Sequence, residues 1–105
     1  MEDYIVSGST KSGIAYTVDT RVRKDSRFLH LLVKMQDKKR AELERAEALF
    51  SLLDMLFGGD EGVFAFENEV AVHHDGLCTQ ETLIAELKDI FEVLNLKNSS
   101  PSQSS

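Results

Sequence analysis

The stretch Lys11–Phe28, "KSGIAYTVDTRVRKDSRF", joins two patterns, and how they join decides the architecture. Ile14, Tyr16 and Val18 alternate with Ala15 and Thr17, the spacing of a half-buried strand. Asp19 or Thr20 can then begin a turn, and Asp25 or Ser26 can cap a helix. Upstream, Tyr4-Ile5-Val6 is short, apolar and β-prone. The polar segment Ser7–Gly13 separates it from the second run. Two such runs across a glycine-containing loop predict a β-hairpin over 4–18. An isolated hairpin is marginal in water, so this one must rest on the remainder of the chain.

That remainder is helical. Phe28, Leu29, Leu31, Leu32 and Met35 recur at helical spacing and predict a first helix from about Ser26 to about Gln36. "DKKRAELERAEALFSLLDMLFGG" is the strongest helix signal, since good helix formers dominate its first half. Leu43, Ala46, Phe50, Leu53 and Phe57 make an apolar stripe along it, and Gly58-Gly59 supplies the stop. Residues 60–73 carry two signals. "GVFAF" has strand composition, whereas Val63, Phe66, Val70 and His73 share a helical face behind the capping Asp60. Asp75-Gly76 is a turn. Thr79 caps a last helix, with Glu81 favourable at its N-terminus and Leu83, Leu87, Ile90, Phe91 and Leu94 on its apolar face. The expected fold is mainly α with a short N-terminal β-hairpin, a small α+β domain with about four helices. One globular domain spans 1–97, with the hairpin at 4–18 and the helical body at 26–96. The small polar residues 98–105 form a disordered tail.

The chain has 105 residues, enough for one modest core. Hydrophobic residues make up 42 % and charged residues 29 %, the mix of a globular protein rather than a disordered one. No apolar run reaches the roughly 18 residues that span a bilayer, and "MEDYIV" does not read as an export signal. Cys78 is the only cysteine, which rules out an internal disulfide and fits a reducing cytoplasm. The net charge is −6, against broad nucleic-acid binding, but its sign is unevenly spread. Asp19–Arg45 holds nine Lys/Arg and five Asp/Glu, while Ala46–Lys97 holds two and eleven. Such a separation can steer a nucleic acid, an acidic partner or a second copy of the chain, or it can simply be two solvated faces.

Four constellations are candidates for function. His73-His74-Asp75, with Cys78 nearby, is the only grouping with the residue types of a metal or acid–base site. Adjacent helical side chains diverge, and a zinc site wants ligands at other spacings, so a polar helix end is the plainer reading. "GSTKSG" lacks the spacing of a phosphate-binding loop. Arg21, Arg23, Lys24 and Arg27, with Lys38, Lys39 and Arg40, form a candidate phosphate-binding patch. Asp19, Asp25 and Asp37 dilute it, and aromatics are not interleaved beyond Phe28. Finally, seven of the nine residues in "LFSLLDMLF" are large and apolar: Leu49, Phe50, Leu52, Leu53, Met55, Leu56 and Phe57. A helix that is greasy nearly all round in so small a domain points to a face shared between core and partner. Those seven are the expected partner or oligomer interface. Lys38, Lys39 and Arg40 are the expected basic contact for head-to-tail stacking of copies on an acidic face.

"SGIAYTVDTRVRKDSRF", the greasy helix ending "LFGGDEG", then "HHDG" and "ETLIAELKDIFEVL" together resemble the tail assembly chaperones of long-tailed bacteriophages and prophages of Gram-positive bacteria. The matching positions are Ser12, Gly13, Tyr16, Val18 and Asp19 in the second strand. Arg21, Val22, Asp25, Arg27 and Phe28 lead into the first helix. Leu56 to Gly58 end the Leu-rich helix, and Asp75-Gly76 precede the closing helix Glu81 to Leu94. The resemblance covers about Tyr4 to Asn95. Ser26 stands where an aromatic is common in the family. It implies a non-enzymatic protein with no catalytic residue, metal or cofactor. Such a protein binds the tape measure protein, keeps that apolar helical chain soluble and helps recruit tail tube subunits. It also implies self-association into rings or spirals, and residence in the bacterial host cytoplasm rather than in the mature virion. The alternative is a small nucleic-acid-binding or regulatory protein of a phage or mobile element, acting through Arg21, Arg23, Lys24 and Arg27.

Overall fold

The computed structural model describes residues 4–95. Strands β1 (Ile5–Ser9) and β2 (Ala15–Asp19) pair antiparallel, with Ile5 opposite Asp19 and Ser9 opposite Ala15. β1 runs to Ser9, past the Val6 end expected from sequence, and the hairpin closes at Asp19. The cause lies across the ladder. The Ser7 and Thr17 hydroxyls meet at 2.8 Å, and Gly8 faces Tyr16, whose ring occupies the space a side chain at Gly8 would need. Polar residues therefore sit in the ladder where composition alone reads as loop. The turn closes on Thr10: its carbonyl accepts from the Gly13 N–H at 2.9 Å and its hydroxyl from the Ile14 N–H at 3.1 Å.

A 3-10 turn, Thr20–Lys24, carries the chain into four helices: α1 (Ser26–Gln36), α2 (Glu42–Phe57), α3 (Asp60–His73) and α4 (Gln80–Val93). The result is mainly α with a short N-terminal hairpin, as the sequence pattern predicts. α1 has the expected bounds, and the Asp25 side chain caps it by accepting from the Arg27 N–H at 2.9 Å. The two-way signal at 60–73 resolves as helix. Val63, Phe66 and Val70 are buried on one face, but His73, expected to share it, is exposed. Thr79 caps α4 through a reciprocal capping box with Thr82.

α2 packs against both α1 and α3, and β2 lies on α2. The core is filled by Phe28, Leu32 and Met35 of α1, Leu49, Leu52, Leu53 and Leu56 of α2, Phe66 and Val70 of α3, and Leu83, Leu87, Ile90 and Phe91 of α4. Ile14, Tyr16 and Val18 of the hairpin join them, so the helical body is the support the hairpin needs. Each fully buried Leu or Phe contributes roughly 1.5–3 kcal/mol. The turn from α2 to α3 is tight. Gly58 adopts φ 80° and Gly59 φ 113°, and both their N–H groups donate to the Asp54 carbonyl. Beyond this corner the Phe57 and Phe66 rings stack at 4.5 Å. The expected tail at 98–105 lies outside the described residues.

Candidate partner-binding surface

The α2 segment splits. Leu49, Leu52, Leu53 and Leu56 are enclosed in the chain's own core, while Phe50 is exposed and Met55 and Phe57 are half-buried. The expected stripe is thereby corrected: Leu43 and Phe50 face outward, and the inward stripe is Ala48, Leu49, Leu52, Leu53 and Leu56. Of the seven residues expected at an interface, only Phe50, Met55 and Phe57 reach the surface.

Apolar surface is left over elsewhere instead. Val33 on α1 is 63 % exposed, Leu43 on α2 71 %, Phe64 and Val72 on α3 66 % and 74 %, and Leu77 after α3 67 %. On α3, Phe64, Asn68 and Val72 succeed each other at four-residue steps and so form one outward row. Glu61 and Glu69 flank it, both exposed. Sequence periodicity picks out the inward rows, and these outward residues are its remainder.

The cations are arranged by a local device that repeats. In Asp19-Thr20-Arg21 and Asp25-Ser26-Arg27 the aspartate accepts from the backbone N–H two residues on, and the arginine side chain folds back on the same carboxylate. Asp37 accepts from the Lys39 N–H in the same way. The Arg27 guanidinium hydrogen bond, then the backbone bond, hold the Asp25 carboxyl down to about 2. Asp19 is lowered chiefly by its hydrogen bond from the Arg21 side chain. Arg21 also lies over the Tyr4 ring at 3.7 Å. Thus two of the four cations of the candidate phosphate-binding patch are engaged within the turn, in an open hollow lined also by Val22 and Met55. In the α1–α2 turn, Lys38, Lys39 and Arg40 are all exposed. Arg40 faces Asp37 at 3.5 Å and Glu44 at 3.7 Å, which leaves the two lysines as the outward charges of that trio.

The histidine cluster comes apart. The His73 ring Nδ1 lies 2.9 Å from the Glu69 carbonyl, one turn back, at the C-terminal end of α3. His74 turns the other way and its Nε2 meets Glu86 Oε2 of α4 at 2.7 Å. Among the described residues, no group of three or more His, Cys, Asp or Glu is placed to hold a metal ion. Burial, with the Glu67 charge, pushes the Cys78 thiol up, away from the activated thiolate a nucleophile needs.

Glu86 is the polar group that sequence reasoning passed over. It is 3 % exposed, and its Oε1 has no formed hydrogen bond among the described residues. Burial raises its pKa. The His74 hydrogen bond, the Thr10 and Ser12 hydroxyls and the imidazole charge outweigh that and hold it below the ordinary value. One turn on, Asp89 Oδ2 accepts from the Lys11 N–H at 2.8 Å. Asp89 thus fastens the hairpin turn to α4, with the Thr10 and Ser12 hydroxyls beside Glu86. The available signal was periodicity: Glu86 falls between Leu83 and Leu87 on the buried face of α4.

Among the described residues, no helix is long and apolar enough to cross a membrane. No protein-family model, curated protein or solved structure matches the chain.

Proposed function

We propose that the chain is a non-enzymatic binding protein of the tail assembly chaperone kind. It covers the apolar helical surface of a tape measure protein, keeps that partner soluble, helps bring tail tube subunits to it, and self-associates while doing so in the host cytoplasm. The observation that carries this reading is the surplus of large apolar side chains outside a closed core: Val33, Leu43, Phe50, Phe64, Val72 and Leu77. Exposed aromatic and aliphatic rows on helices are what a helical client with an apolar stripe docks against. A net charge of −6 keeps such a surface soluble. The sequence resemblance and the helical fold with its small hairpin support the same reading.

The test is co-expression with a tape measure protein that aggregates alone. The expected result is a soluble complex that co-purifies, and that is lost when Leu43→Asp and Phe50→Asp are combined. A client that stays insoluble beside wild-type protein, or a low-salt gel shift abolished by Arg23→Glu with Lys24→Glu, overturns the reading. The second result would favour nucleic-acid binding.

A further inference from the structure

Two outward helix faces of this fold complement each other. On α1, Leu29 and Val33 lie one turn apart and are exposed, beside Arg27, His30 and Lys34. From Arg23 to Lys39 there are six Lys/Arg and two Asp. Both of those aspartates are occupied in turns, Asp25 with Arg27 and Asp37 with Lys39 and Arg40. On α3, Phe64 and Val72 project about 12 Å apart along the helix axis. From Asp60 to Asp75 there are five Asp/Glu and no Lys or Arg. One face is thus apolar with a basic border, and the other apolar with an acidic border. α2 stands between the two helices and packs against both.

We infer that α1 of one copy packs on α3 of the next, with Leu29 and Val33 against Phe64 and Val72 and the lysines beside the glutamates. Such a contact joins two different patches, so it is heterologous. Repeated, it closes into a ring or continues as a helical filament. Opposite borders steer the encounter and fix its direction, because α1 on α1 or α3 on α3 sets like charges together. The occupant is a second copy because the complementary face is on the chain itself. This inference deepens the self-association proposed above and rests on it, but it is independent of the client's identity.

The test uses the full chain and a pair of charge-reversed variants. Lys34→Glu, Lys38→Glu and Lys39→Glu together make the α1 border acidic; Glu61→Lys, Glu67→Lys and Glu69→Lys together make the α3 border basic. Sedimentation velocity across a concentration series is run on each at low and at high salt, with circular dichroism to verify folding. Wild type forms species larger than one chain that shrink as salt rises. Each variant alone dissociates about ten- to a hundredfold more readily. An equimolar mixture of the two variants assembles again, since each supplies the face the other lacks. A chain carrying all six reversals also assembles. Val33→Asp and Val72→Asp, at exposed positions that leave the core intact, each weaken assembly without changing the circular dichroism.

A wild-type chain that stays single at all concentrations overturns the contact. So does assembly indifferent to the reversals, or a mixture that does not recover. Client capture is scored separately by co-purification. Loss of capture with intact assembly therefore tells against the chaperone reading alone, and intact capture with a salt-indifferent single species tells against the α1–α3 contact alone.

Discussion

Glu86 shows how much one side chain can hold. It is enclosed on the apolar face of α4, bonded to His74, and lies beneath the turn of the hairpin. Hydrogen bonds to a charged group are worth roughly 1.5–3 kcal/mol, so Glu86→Gln is expected to cost about that much in urea unfolding at neutral pH. The direction of the shift sets the pH dependence. The folded-state pKa lies below the ordinary 4.5, so the carboxylate's contribution is complete above 4.5. It is lost as pH falls through the lower folded value. The gap between wild type and Glu86→Gln should therefore narrow as pH falls below 4.5. An equal gap above and below that pH would show that the charge contributes nothing. Gly62 is the opposite case, a position that needs the absence of a side chain. A Cβ there would run into the Phe57 carbonyl oxygen, with the Phe57 carbonyl carbon 3.0 Å away. That obstacle is backbone and cannot rotate aside. Gly62→Ala is expected to lose about 1–3 kcal/mol by overpacking the α2–α3 corner, checked by thermal unfolding. Sequence pattern flags Gly58-Gly59 as a stop but is silent on Gly62, because a glycine inside a helical pattern gives no sign of what passes close to it in space.

Among the elements, those with explicit start signals were legible from sequence. α1 and α4 carry Asp25 and Thr79 at their N-termini and one apolar face each, and both elements stand where the pattern puts them. Thr79→Ala should cost about 1 kcal/mol, seen as a fall of roughly 4–8 °C in Tm, because it breaks both halves of the capping box. α2 was legible as a helix but not in its orientation. Apolar residues occur on nearly its whole circumference, so periodicity cannot choose which side goes inward. α1 and α3 choose it by packing on the Leu49, Leu52, Leu53 and Leu56 side. Leu49–Phe57 is the greasiest run, and the core takes Leu49, Leu52, Leu53 and Leu56 from it. The hairpin was legible in its second strand, where Tyr16 and Val18 alternate. It was less so in its first, where Ser7, Gly8 and Ser9 pair through their neighbours rather than by propensity.

For the molecule as a whole, the apolar remainder distinguishes surface from core. Phe64→Asp with Val72→Asp changes two outward side chains that no core residue depends on. Stability in urea should stay within about 0.5 kcal/mol per substitution, while binding of a hydrophobic dye to the native protein drops. A large loss of stability would mean that these side chains belong to the core after all. The separated charges act at the same scale: the α1 end is basic and α3 acidic, so the self-association proposed above should be favoured by low salt and opposed by high salt.

The hairpin turn is tied down by Asp89, 78 residues further along the chain. During synthesis, then, the strands emerge long before the helix that secures them. Until α4 has left the ribosome the Lys11 N–H lacks its Asp89 acceptor, and an element made earlier is fastened later. The closing step joins positions 78 residues apart, so a chain cut before Gln80 should leave the hairpin turn without its α4 tie.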